Sequence, residues 1–236
     1  MDFCNPHSFI KSDKPWYEVC TVCGSYHSVE QLSPKELYVD TPYWGDGTGR
    51  STLDQQISNL TCTDECGISK VDRILQFLPG QARNVLEIAC APGILLKRLS
   101  DLRCVTIGIE PSPEYIPYIS EQSPYSQLIC GFFPDVLPGS IENVFDCIIG
   151  MDIFEHFDDY DLFMRSVHRL LVPNGVGIFM SPVILEDGLY RERDFVPAEH
   201  CWIHTEKFLK PYLLSMFSEV QFKRWIVGHE LIIVRK

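Results

Sequence analysis

The chain has 236 residues, 45% hydrophobic, 12% aromatic and 22% charged, which is enough apolar mass for a full core and excludes a disordered chain. Lys and Arg total 20 against 32 Asp and Glu, a net charge of -12 that opposes phosphate backbones and anionic lipid, so neither a nucleic-acid nor a membrane partner is expected. No stretch approaches the roughly 18 uninterrupted apolar residues of a membrane span, and the opening MDFCNPHSFIKSDKP lacks the features of a secretory leader, so a cytoplasmic setting is expected.

In chain order, residues 1–60 read as an N-terminal segment rich in turn formers, and residues 61–236 as the main domain. Cys4-x-x-His7 and, twelve residues on, Cys20-x-x-Cys23 pair four soft ligands at knuckle spacing, close to a structural zinc site. Such an ion would order a stretch with little core of its own. His27, Cys62 and Cys66 are alternative ligands, and a plain turn with reduced thiols is the reading without metal.

Next, Gly67 to Leu78 carries Ile68, Val71, Ile74, Leu75 and Leu78 at the spacing of a helix packed on a sheet. From Asn84, β-branched runs alternate with amphipathic stretches: NVLEIA, a helix from Pro92, CVTIGIE, a helix near Pro113, QLICGF, FDCIIGM, a helix from Asp158, and GVGIFMS. That alternation predicts βαβ units and a parallel sheet. Cys90, Cys104, Cys130 and Cys147 fall inside these runs and read as small core hydrophobes. After Ser181 come a loop through Pro182 and Pro197, a helix from Thr205 to about Met216, and two strands parted by Gly228 as a hairpin.

The segment VLEIACAPGILLKRL, residues 85–99, carries the chemistry. A strand ends in small residues and a Pro–Gly turn before a helix, the way a nucleotide-like ligand is held. Glu87, Ala89, Ala91 and Gly93 recur at every second position, and Glu110 closes the next strand 23 positions after Glu87, where an acid accepts from both ribose hydroxyls. A nicotinamide fingerprint would place its third small residue at Ile94, which argues against a dehydrogenase.

These residues resemble motif I of the class I S-adenosylmethionine (SAM)-dependent methyltransferases, acidic-x-Gly-x-Gly-x-Gly, with Ala89 and Ala91 in place of two glycines. The stretch FDCIIGMDIFEHFDDYDLFMRSVHRLLVPNGVGIFMSP resembles the fourth and fifth motifs of ubiquinone-type and sugar-modifying members. VCTVCGSYHSVEQLSPKELY is similar to the zinc-ribbon leader of sugar and natural-product methyltransferases. The resemblance implies a Rossmann-like α/β domain with a mostly parallel seven-stranded sheet ending in an antiparallel hairpin, and SAM as cofactor. It implies Glu87 at the amino-acid end of SAM, Glu110 and Pro111 at the ribose, Phe132 beside adenine, Met151 at the end of the fourth strand, and Tyr43 with Gln56 closing from upstream.

Transfer to a hydroxyl requires a base, and His156 is the first candidate, beside Glu155; His200 and His204 are others. Asp152 and Glu155 could instead hold a divalent cation with His156, and Arg191 with Arg193 reads as a solvated charge run. The expected function is O-methylation of a small-molecule substrate, a sugar, nucleotide sugar or natural-product intermediate. Its alternatives are C-methylation of a keto-sugar, or SAM binding without turnover.

Overall fold

The computed structural model describes residues 9–40, 52–63, 67–226 and 229–236. It opens with three antiparallel strands, β1 (Phe9–Lys11), β2 (Tyr17–Cys20) and β3 (Tyr26–Ser28). Two short helices follow, α1 (Pro34–Tyr38) and α2 (Leu53–Thr61), each begun by a capping box, Ser33 with Glu36 and Thr52 with Gln55. The alternating region then runs α3 (Lys70–Leu75), β4 (Asn84–Ile88), α4 (Ile94–Asp101), β5 (Val105–Glu110), α5 (Ile116–Gln122), β6 (Gln127–Cys130), β7 (Phe145–Met151), α6 (Tyr160–Leu170) and β8 (Leu171–Ser181). Last come β9 (Val183–Ile184), β10 (Trp202–Thr205), α7 (Glu206–Leu214), β11 (Glu219–Ile226) and β12 (His229–Arg235).

Seven strands make one sheet in the order β11-β12-β8-β7-β4-β5-β6. β4 pairs parallel with β5 and β7, β5 parallel with β6, and β11 antiparallel with β12. This is the expected Rossmann-like α/β fold, mostly parallel and ending in a hairpin. The chain runs outward from β4 to β6 and returns to β7 on the other side of β4, and such a reversal opens a ligand crevice at the carboxyl ends of the strands.

Two compact units make up the chain: one comprises Ser33–Gly150 and Arg169–Ile178, the other Met1–Leu32, Met151–His168 and Phe179–Lys236. In the first, α4 buries Leu95, Leu96 and Leu99 completely, each contributing roughly 1.5–3 kcal/mol. Gly108 on β5 permits that approach, since a Cβ there would lie 2.7 Å from both Cys90 Sγ and Leu96 Cδ1. Leu53 of α2 and Ala91 lean on the adjoining cluster of Cys90, Leu96, Tyr115 and Ile119.

The second unit contains a five-stranded sheet, β1-β2-β3-β10-β9, in which β10 is antiparallel to β3 and parallel to β9. Here the structure departs from the expected loop between residues 182 and 205: Trp202–Thr205 is a strand, hydrogen-bonded to Tyr26 and His27 of β3. Its partner lies far away in sequence, so local periodicity carries no sign of the pairing. Tyr17, Ile184 and Ile203 form its core with Tyr26, Tyr190 and Phe195. Lys14 sits over the Tyr190 and Phe195 rings, 4.7 and 5.2 Å from their centroids, and pairs with Glu192 at 2.6 Å. Pro173, Asn174 and Gly175 lie within β8, where Asn174 adopts a φ of +65° that Asn tolerates better than most residues.

Candidate functional site

Past the end of β4 the backbone turns sharply. Ala89 takes φ +54°, a left-handed conformation that strains a side chain by about 1 kcal/mol, and Gly93 takes φ +87° as the residue before α4. Gly93 admits no Cβ, which would lie 2.9 Å from Ile119 Cγ2. The Gly93 N–H donates to the Cys90 carbonyl at 2.7 Å and the Cys90 N–H to Ile109 at 3.1 Å, so the turn is locked to β5.

Glu87 and Glu110 stand on adjacent strands of this unit. Glu87 is only 1% exposed, and its Oε2 has no hydrogen-bond partner among the described residues. Burial, reinforced by the Glu110 charge, pushes its carboxyl well above the usual carboxylate range. Glu110, also buried, accepts from the Ala91 N–H at 3.1 Å and the Ser112 N–H at 2.9 Å. Burial raises its pKa to about 7 in spite of those two donors. A buried carboxyl oxygen without a partner suits a ligand cation such as the SAM ammonium group, and a second acid at the end of the next strand suits a diol.

Pro111 and Phe132 are both half-buried. The Phe132 ring lies 6.4 Å from that of Tyr38, whose carbonyl accepts from Ser112 Oγ at 2.8 Å. Tyr38 escaped the sequence reading, since nothing in SPKELY signals that α1 reaches the strand end carrying Glu110. Gln56 is on α2, one turn beyond Leu53, which packs beside Ala91. Tyr43 lies outside the described residues. Met151 is the half-buried last residue of β7.

The histidines and Glu155 belong to the other unit. Beyond β7, Asp152 adopts φ +50°, and a helical turn, Phe154–His156, presents a Glu155 that is 1% exposed and accepts from Ser181 Oγ at 2.9 Å. His156 Nδ1 lies 3.0 Å from the Glu199 carbonyl oxygen, and His200 Nδ1 lies 2.6 Å from that of Asp194. A carbonyl only accepts, so both Nδ1 atoms carry the proton, and in its neutral form the His200 ring keeps its lone pair at Nε2. The two rings are edge to face with centroids 4.8 Å apart, and Glu155, His156 and His200 each bring one ligand atom to within 4.8 Å of the others. Burial holds His200 below the usual histidine value. Asp152 is not part of this trio; it faces His229 Nδ1 at 3.5 Å.

Two expectations change here. Arg191 is no solvated charge, because it grips the buried Asp194 carboxylate through two hydrogen bonds of 2.9 and 2.6 Å. His204 does not line a loop: it is 1% exposed and packed among the rings of Trp202, Phe208, Tyr160 and Phe154. His27 is held by Asp158 at 3.2 Å and lies against Trp202, with ring centroids 4.2 Å apart.

Cys20 and Cys23 are buried at the β2–β3 turn, where the Gly24 N–H donates to the Cys20 carbonyl and the Cys20 N–H to that of Ser25, both at 2.8 Å. Neither forms a disulfide. Cys4, His7 and Cys66 lie outside the described residues.

Among the described residues no helix is long and apolar enough to cross a membrane. The methyltransferase domain family matches residues 64–222. Two relatives carry the description ubiquinone biosynthesis O-methyltransferase. That of Pelagibacter ubique is 28% identical over 146 residues, covering 57% of this chain and 59% of the relative. That of Bradyrhizobium diazoefficiens is 30% identical over 96 residues, covering 39% and 37%. The chain thus spans little more than half, or less, of the curated relatives it matches. Among solved structures, an S-adenosylmethionine-dependent methyltransferase from Mesorhizobium loti superposes with a TM-score of 0.56 at 11% identity, covering 70% of this chain and 96% of the other. The sheet order, the paired acids on adjacent strands and the match over residues 64–222 agree, and the chain belongs to the methyltransferase domain family, in the class I SAM-dependent fold.

Proposed function

We propose that this protein transfers the methyl group of SAM to the oxygen of a small hydroxylated acceptor, a sugar, nucleotide sugar or natural-product intermediate. The transfer is an in-line displacement at the sulfonium methyl, and the acceptor hydroxyl must lose its proton as the bond to carbon forms. His156 takes that proton at Nε2, with its ring held by the Glu199 carbonyl. Glu87 pairs with the SAM ammonium group and Glu110 with the ribose. The observation that carries the reading is the buried, unpartnered Glu87 Oε2 beside Glu110, an arrangement that costs stability unless a ligand cation uses it. The oxygen acceptor is supported by the two relatives described as O-methyltransferases.

Methyl transfer from labelled SAM to a panel of hydroxylated acceptors tests this. His156→Gln is expected to lower turnover by about two orders of magnitude or more while changing SAM affinity by about twofold at most. Wild-type turnover in that variant would remove His156 from the chemistry, and SAM binding with no acceptor methylated would make the protein a SAM-binding module. The convergence of Glu155, His156 and His200 favours one second reading, a divalent cation held by the trio. A rate abolished by a chelator and restored by added Mg or Mn would select it.

Cys20 and Cys23 we assign to a structural zinc, with Cys4 and His7 as the second ligand pair. The turn closed by Gly24 at φ +81° supports this, since it presents two buried thiols from one hairpin. Elemental analysis is expected to find about one zinc per chain and to lose it in Cys20→Ser. Full thermal stability after exhaustive chelation, with no metal in the protein as purified, would overturn the assignment.

A further inference from the structure

His200 lies in a stretch that contains only a single helical turn, Glu192–Asp194, between β9 and β10, yet its ring is held firmly. Its Nδ1–H donates to the Asp194 carbonyl at 2.6 Å, and its own carbonyl accepts from the Tyr17 hydroxyl at 2.9 Å. The Asp194 backbone is held in its turn, its N–H donating to the Arg191 carbonyl at 3.0 Å and its carbonyl also accepting from the Val196 N–H at 3.1 Å, and its side chain adds a further hold. The carboxylate, 6% exposed, is gripped by the Arg191 guanidinium through two hydrogen bonds and faces His229 Nε2 at 3.6 Å. The other nitrogen of His229 faces Asp152 Oδ1 at 3.5 Å, next to the exit of β7. A chain of contacts therefore runs from Asp152 through His229 and Asp194 to His200. His229 opens the last strand, and no sequence motif marks it.

We propose that Asp194 is a positioning residue that fixes His200 as the Nδ1–H tautomer, with Arg191 and His229 as the two clamps on its carboxylate. Loss of the clamp loosens the peptide, and the ring proton can then move to Nε2. A donor would then replace the Nε2 lone pair of a ring whose centroid lies 4.8 Å from that of His156. Outer hydrogen bonds of this kind set which ring nitrogen is used and the direction in which it points. The inference rests on the proposed role of His156 in methyl transfer, and deepens it by way of the His200 ring packed edge to face against it.

Nitrogen NMR of the imidazole rings in the full chain tests the tautomer directly. In the wild type His200 is expected to be protonated at Nδ1 and bare at Nε2. Asp194→Ala is expected to shift it toward Nε2–H and to lower methyl transfer by about tenfold to a hundredfold. Asp194→Asn keeps an oxygen for Arg191 and is expected to recover most of both. SAM affinity, which depends on Glu87 and Glu110, is expected to move by about twofold at most in each variant. Should Asp194→Ala fail to fold, His229→Gln removes only one clamp and is expected to act in the same direction with a smaller effect. A wild-type His200 protonated at Nε2, or a folded Asp194→Ala that keeps the native tautomer, overturns the proposal. A variant whose tautomer changes while turnover does not would uphold the positioning role and instead remove His200 from the proposed chemistry.

Discussion

Replacing Glu87 by Gln is expected to weaken SAM binding about tenfold to a hundredfold while leaving the melting temperature of the ligand-free protein nearly unchanged. On the proposed reading a charge-assisted pair between the SAM ammonium group and a buried carboxylate would be lost, whereas the neutral amide matches the uncharged form that burial favours. Burial and the neighbouring Glu110 both disfavour ionisation of Glu87, and burial raises Glu110 to about 7. An acid whose folded pKa is raised stabilises the fold below its unfolded value, and that contribution is lost as pH rises, for Glu110 through about 7. If SAM binds as proposed it favours the ionised form of both groups, so its binding is expected to release protons and its affinity to climb with pH, for Glu110 through about 7. Calorimetry in buffers of different ionisation enthalpy measures the release directly. Glu87→Gln is expected to abolish part of it and Glu110→Gln the rest. An affinity flat between about pH 6 and about pH 8 would mean that these carboxyls do not meet the ligand.

The half of this architecture that follows local rules was legible in the sequence, and the half that depends on distant pairing was not. Glu87, Gly93 and Glu110 could be placed because the strand, turn and helix that carry them form one contiguous unit, and the structure returns them as β4, the turn and α4, with Glu110 ending β5. The final hairpin was visible for the same reason. The five-stranded sheet was not, since β3 and β10 lie at opposite ends of the chain and neither is longer than four residues. In the sequence His200, Trp202 and His204 look alike as polar-tipped residues near a helix start. Only the pairing of β10 separates them, leaving His200 beside His156 and burying His204. Arg191 reads as a surface charge because its grip on an acid three residues on looks the same in a sequence whether it is wet or buried. Asp146 likewise reads as the start of a strand. Its carboxylate proves to accept from the Arg83 and Asn84 N–H groups, and so fixes the entry to β4 at the end away from the site.

His204→Phe is expected to stabilise the protein, and to do so increasingly as the solution is acidified. Neither ring nitrogen of His204 has a hydrogen-bond partner among the described residues, and Trp202, Phe208, Tyr160 and Phe154 surround it with carbon. A buried polar group without a partner costs on the order of 1–3 kcal/mol, and a phenyl ring keeps the stacking without that cost, so a gain of about 1 kcal/mol at neutral pH is expected after some repacking strain. Burial, with a smaller contribution from the nearby His27, lowers the His204 pKa to about 3. The unfolded chain takes up a proton near the ordinary histidine value of about 6.5 and the folded chain refuses it until about 3, so folding stability falls as pH drops through that window. The slope is about 1.4 kcal/mol for each pH unit, and the advantage of the Phe variant therefore widens to about 3 kcal/mol near pH 5. Urea titrations of both proteins at neutral and acid pH measure the difference. Stability curves that stay parallel from neutrality to about pH 5 would show that His204 finds its proton, or a partner, inside the folded chain.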